Sequence, residues 1–109
     1  MKKGMSGQLE WECELRGPNG SIVHPFLVDT GASDGILSVQ VARRLGLPKV
    51  RSQQVATANG VVTVPVVRGE INVEGCGWYS ADFFATDTTV WAIGWSVTSL
   101  CGLSIPPEP

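Results

Sequence analysis

An acidic residue at the end of an apolar run is the side chain of this sequence best placed to do chemistry. Residues 27–33 read LVDTGAS, so a short apolar strand delivers Asp29 into a tight turn. Gly31 allows another group to approach the backbone closely, and the Thr30 hydroxyl can hydrogen-bond within the turn. Asp29 is therefore presented at the end of a loop held by a strand, a common position for catalytic groups.

Two other interpretations also fit this segment. Asp and Gly are frequent in turns, so Asp-Thr-Gly could simply cap a strand. Residues 31–35 also fit G-x-S-x-G, the nucleophile elbow of serine hydrolases. That mechanism requires a histidine after the serine in the chain. The only histidine, His24, precedes it, so the serine hydrolase reading is disfavoured.

The elements that must position Asp29 are mostly strands. Residues 8–15 alternate polar and apolar side chains, and residues 22–28 form the apolar run that ends at Asp29. Residues 53–57 and 61–67 form two β-branched arms around Ala58-Asn59-Gly60, which predicts a hairpin. A second pair, residues 69–74 and 80–85, surrounds Gly75-Cys76-Gly77. Many short strands separated by turns predict an all-β barrel.

Helical signals are few. Ser38 can cap a helix over residues 38–45, and Gly46 followed by Pro48 ends it. Residues 91–105 read as a strand, a glycine turn, a short helix over residues 95–100 and a last strand over residues 102–105. The prediction is one domain over residues 1–109, with residues 1–7 as a loose tail.

In the order of these features the sequence resembles the retropepsin-like aspartic peptidases, in particular cellular or prokaryotic members. That family carries an apolar-apolar-Asp-Thr-Gly loop, then a glycine-tipped hairpin flap, and near the C-terminus an apolar-apolar-Gly motif that opens a short helix. The matching segments here are residues 27–32, 58–60 and 92–94. The resemblance implies a small closed barrel with one helix near the C-terminus and a second after the catalytic loop.

The resemblance also implies roles for single residues. Asp29, Thr30 and Gly31 would form the catalytic loop. Substrate contacts would come from the rest of the loop, the flap tip and the C-terminal wall: Ala32, Ser33, Asp34, Thr57, Ala58, Asn59, Gly60, Val90 and Ala92. For Asp34, a solvated turn residue is an equally good interpretation. For Val90 and Ala92, plain core packing is an equally good one.

One Asp-Thr-Gly motif in a chain of 109 residues implies two chains. In this chemistry a water lies between two carboxyl groups, of which one is ionised and takes a proton while the other is protonated and donates one. A symmetric homodimer would supply the second copy of Asp29. The resemblance therefore implies an endopeptidase with a peptide or protein substrate and no cofactor. The alternative is a dimeric binding module that keeps the fold without cleaving.

Composition argues against several other classes. The chain is 43% hydrophobic and 17% charged, which is typical of a globular domain. Its eight Lys and Arg residues are scattered, so no nucleic-acid surface is expected. A single histidine and three dispersed cysteines predict no metal site. Residues 88–107 lack charge but carry many Ser, Thr and Gly, which disfavours a membrane span. The odd cysteine count and the absence of an apolar signal segment lead us to expect a cytoplasmic protein.

Overall fold

The computed structural model describes residues 2–3, 9–29, 34–94 and 97. Strands dominate this part of the chain. They are β1 (Lys2–Lys3), β2 (Leu9–Gly17), β3 (Gly20–Val28), β4 (Gly35–Ser38), β5 (Lys49–Thr57), β6 (Gly60–Val73), β7 (Trp78–Thr86) and β8 (Ala92–Ile93). The described helix, α1, spans Val39–Leu45. The predicted all-β class is confirmed.

Local sequence signals account for the helix and the two hairpins. The Ser38 side chain accepts a hydrogen bond from the Gln40 N–H, and Gly46 ends α1 in the left-handed conformation with φ +70°. In the hairpin of β5 and β6, Thr57 pairs with Gly60 around the Ala58-Asn59 turn. In the hairpin of β6 and β7, Asn72 pairs with Trp78 around residues 74–77. The helix over 38–45 and both hairpins are confirmed.

The strands pair in the order β1-β2-β3-β8-β4-β7-β6-β5, and an additional pairing of β2 with β6 closes six of them into a ring. Most neighbours are antiparallel, but β3–β8 and β4–β7 are parallel. The core fills the ring. Trp11, Cys13 and Leu15 of β2 are at most 1% exposed, as their alternation with polar residues predicts.

Two C-terminal predictions fall largely outside the described residues. The short helix over residues 95–100 is described only at Val97, which is buried, and the last strand over residues 102–105 is not described. In the described part of the chain, no helix is long and apolar enough to cross a membrane.

Candidate active site

Asp29 lies where three strands end together. β8 lies between β3 and β4, parallel to β3 and antiparallel to β4, through the pairs Leu27–Ala92, Val28–Ile93 and Ile36–Ala92. The Asp29 N–H donates to the Ile93 carbonyl at 3.0 Å, one step beyond the last ladder pair. The backbone of Asp29 is thus fixed by β8, while the residue itself is exposed.

The strands behind Asp29 form an apolar platform. One residue of each of the four strands around the site is fully buried: Phe26 of β3, Leu37 of β4, Phe83 of β7 and Ile93 of β8 are 0% exposed. Close-packed interiors resist displacement, because moving one of these side chains requires its neighbours to move. Asp29 is therefore held at the edge of a rigid base, the condition for a precisely placed catalytic group.

Gly35 is a further requirement of this arrangement that the sequence analysis missed. It opens β4 and lies so close to β8 that a Cβ atom there would overlap the Ala92 carbonyl oxygen and lie 2.7 Å from Cδ1 of Phe83. Only glycine permits β4 to approach β8 this closely. In the sequence, Gly35 was noted only as the last residue of the G-x-S-x-G motif, whose serine hydrolase interpretation is disfavoured.

Asp34 belongs to an ion-pair cluster of four residues, Asp34, Arg51, Asp82 and Arg68. Nη2 of Arg51 donates to Oδ2 of Asp34 at 2.5 Å, and its Nη1 donates to Oδ2 of Asp82 at 2.9 Å. Nε of Arg68 donates to Oδ1 of Asp82 at 2.7 Å. The side chains of Asp34 and Asp82 are only 21% and 17% exposed. Asp34 is therefore an ion-paired, partly covered residue rather than a free carboxylate.

Asp82 is the carboxylate that both arginines of this cluster share. It lies on the outward face of β7, opposite to that of the buried Phe83, where the two arginines cover it. Arg68 is its direct cross-strand partner in β6. Its hydrogen bond to Arg68, joined by that to Arg51, lowers the pKa of Asp82 below its usual value, and partial burial opposes the shift.

Replacing Asp82 by asparagine should lower stability in a pH-dependent way. Because folding lowers the pKa of Asp82, its stabilising contribution is present above the unfolded value of about 4 and is lost as pH falls through the folded value. We expect Asp82→Asn to lower the free energy of unfolding by about 1–2 kcal/mol at neutral pH. Denaturant titrations should show the difference from wild type narrowing below about pH 4.

The control for this experiment is Asp87→Asn. Asp87 is exposed in the turn after β7, and substitutions at such surface positions usually change stability by less than about 0.5 kcal/mol. If Asp82→Asn were as stable as Asp87→Asn at neutral pH, the ion-pair cluster would contribute nothing to folding.

The hairpin tip is ordered by its own threonine. Oγ1 of Thr57 accepts from the Asn59 N–H at 3.2 Å and donates to the Gly60 carbonyl at 2.8 Å. Gly60 has φ +118°, which favours glycine. All four residues, Thr57, Ala58, Asn59 and Gly60, are exposed. The structure thus brings these predicted contact residues together at one tip, on a different element from Asp29.

The two wall residues differ in exposure. Val90 is 48% exposed and follows a turn in which Oγ1 of Thr88 bonds both the N–H and the carbonyl of Val90. Ala92 is 8% exposed, within the sheet between β3 and β4. Trp91, between them, stacks on His24 with ring centroids 3.8 Å apart. Of these two wall residues, Val90 is therefore the one whose exposed side chain can contact a ligand.

Other predicted site residues lie outside the described part of the chain: Thr30, Gly31, Ala32 and Ser33. Their roles remain predictions. In the ranges that are described, no group of three or more His, Cys, Asp or Glu side chains is arranged to hold a metal ion.

Comparison with known proteins gives a family and a fold. A family model described as gag-polyprotein putative aspartyl protease matches residues 18–87. No curated protein sequence matches significantly. Among solved structures, the chain is similar to the EIAV protease complexed with the inhibitor HBY-793, with a TM-score of 0.67 and 17% sequence identity over 98% of this chain and 100% of that one. At this identity the structural match is evidence for the fold.

Proposed function

The chain belongs to the family of gag-polyprotein putative aspartyl proteases and has the retropepsin fold, and from this premise we propose that it is a homodimeric aspartic endopeptidase. The observation that carries the proposal is the placement of Asp29. Its backbone is bound to Ile93 at the common end of β3, β8 and β4, and the residue is exposed there. A fold that holds one carboxylate in this way needs a second copy for acid–base catalysis.

In the proposed reaction one Asp29 of the dimer is ionised and the other is protonated. The ionised carboxylate takes a proton from a water held between them, and the oxygen of that water attacks the peptide carbonyl carbon. The protonated carboxyl group donates its proton to the carbonyl oxygen. The tetrahedral intermediate then collapses with proton transfer to the amide nitrogen, and the C–N bond breaks. Two carboxyl groups so close cannot both ionise easily, so they share one proton between them.

The residues around Asp29 are proposed to contact the substrate. Thr30 and Gly31 would complete the catalytic loop, and Ala32 and Ser33 would border the bound peptide. The exposed tip residues 57–60 would cover the peptide as a flap, and Val90 would contact its side chains. Asp34 would border the cleft as half of an ion pair with Arg51 rather than as an isolated negative charge. We propose that the protein is cytoplasmic, because its odd number of cysteines fits reduced thiols.

The direct test is incubation of the protein with a mixed peptide library between about pH 3 and pH 8, with products read by mass spectrometry. We expect cleavage within peptides and a bell-shaped dependence of rate on pH, because only the singly protonated pair is active. The limits should fall on the acidic to near-neutral side, since both groups are carboxyls. A protein that binds peptides but cleaves none at any pH would instead be a binding module.

A further inference from the structure

β5, the outer strand of the β5–β6 hairpin, is weakly attached to the rest of the fold. Among the described strands it pairs only with β6. Eight of its nine residues are exposed, and Val55 is half-buried. Strands with few buried contacts open locally at low free-energy cost. The position of β5 therefore depends on the side-chain contacts that it makes with elements other than β6.

Arg51 makes such a contact, and it lies beside a register shift of the β-bulge kind in β5. The register of β5 against β6 shifts between Lys49, opposite Val67, and Arg51, opposite Val66. Bulges of this kind re-aim the side chains next to them. Val66 pairs on its other side with Phe84 of β7, so Arg51 extends across β6 to reach the Asp82 carboxylate. The irregularity in β5 thus coincides with the residue that links β5 to β7.

The second partner of Arg51 links β5 to the catalytic loop. β4 pairs in parallel with β7 through Gly35 and Phe83, which brings Asp34 to the level of Asp82. Two largely covered carboxylates so placed repel each other. The planar guanidinium offers one nitrogen to each, and such charge-assisted pairs are stronger than neutral hydrogen bonds. One side chain therefore joins the hairpin to the end of the loop that begins at Asp29.

We propose that Arg51 is a positioning residue for peptide binding, which anchors the β5–β6 hairpin to Asp34 and Asp82 and so holds the hairpin over the cleft before substrate arrives. The proposal rests on the proposed peptidase function and deepens it. A hairpin that is already in place need not be ordered when the peptide binds. Loss of the anchor should thus weaken peptide binding more than it slows the chemical step.

Arg68 provides a matched control. Like Arg51 it is a partly exposed arginine that hydrogen-bonds Asp82. It lies on β6 opposite Asp82 and its described contacts do not include Asp34. Arg51→Met and Arg68→Met both remove an arginine from Asp82, but only Arg51→Met releases β5 and Asp34. A merely stabilising role of the ion-pair cluster would give both variants the same behaviour.

The test compares the two variants with wild type in two measurements. Hydrogen exchange of the peptide-free protein should be about three- to tenfold faster across residues 49–57 in Arg51→Met, and close to wild type there in Arg68→Met. With the best-cleaved library peptide, Arg51→Met should raise KM by about three- to tenfold with kcat within about twofold of wild type. Arg51→Lys keeps the positive charge but lacks the guanidinium that bonds two carboxylates at once. It should therefore increase both the exchange rate of β5 and KM by less than Arg51→Met does.

Equal exchange of β5 in Arg51→Met and Arg68→Met would overturn the proposal, and so would a loss in kcat at unchanged KM. If Arg51→Met does not fold, Arg51→Lys decides, because unchanged β5 exchange in that variant contradicts the anchor. If the wild-type protein cleaves no peptide, the proposed peptidase function fails. The exchange comparison is made without peptide and still decides whether Arg51 holds β5.

Discussion

Replacing Asp29 by asparagine is expected to abolish peptide cleavage while leaving the fold and the dimer intact. Asparagine has nearly the same shape and can hydrogen-bond across the axis of the proposed dimer, but it cannot take a proton from water. Loss of general-base catalysis alone lowers rates by about 10²- to 10⁴-fold, and here both carboxyl groups of the pair are lost. The measurement is the cleavage rate of a library peptide at the optimal pH, with circular dichroism to check folding.

Asp87→Asn is the matched control for this experiment too. It makes the same chemical change at an exposed turn residue outside the proposed site, and we expect wild-type cleavage. Because the Asp29 backbone is held through its N–H bond to Ile93, which asparagine retains, Asp29→Asn should keep the wild-type spectrum. Cleavage by Asp29→Asn at the wild-type rate would rule out the aspartic mechanism.

The second large effect is expected from Gly35→Ala. The added methyl group would overlap the Ala92 carbonyl oxygen and crowd the Phe83 ring, and no side-chain rotation relieves an overlap with backbone. Overpacking of this kind costs about 1–3 kcal/mol or more, which for a domain of this size lowers the melting temperature by about 5–20 °C. The displacement also separates β4 from β8, so cleavage should fall in the molecules that remain folded.

Gly69→Ala is the graded comparison for this variant. A Cβ there would lie 3.1 Å from methyl carbons of Leu15 and Leu47, which are ends of side chains rather than backbone. Those leucines can adjust, so we expect a smaller decrease in melting temperature and retained cleavage. A Gly35→Ala protein as stable and active as Gly69→Ala would show that the close contact of β4 with β8 is not required.

Sequence patterns predicted the features of this protein that depend on neighbouring residues. The Asn-Gly turn and its β-branched arms predicted the β5–β6 hairpin, and Ser38 with Gly46 predicted the limits of α1. Both signals act within a few residues of the chain. The placement of Asp29 at the end of an apolar strand was predicted for the same reason.

The features that were missed depend on strands that are distant in the chain. Arg51 meets Asp34 and Asp82, which are 17 and 31 residues away, and the contact requires the parallel pairing of β4 with β7. The need for glycine at position 35 exists because Ala92 of β8 and the Phe83 ring of β7 both lie against the start of β4. No propensity or motif at these positions indicates such packing. A charged residue in an exposed strand, such as Arg51, and a glycine after a loop, such as Gly35, are both common, so the sequence alone did not identify them.

The central claim is that each active site takes one Asp29 from each of two chains. It is tested by unfolding wild-type and Asp29→Asn chains together in equal amounts and refolding them as a mixture. Random pairing makes about one quarter of the dimers fully wild type, with about one half mixed. If the site needs both carboxyl groups, the mixture should cleave at about one quarter of the rate of the same total amount of wild-type protein. A rate of about one half would mean that each chain cleaves on its own, which contradicts the account.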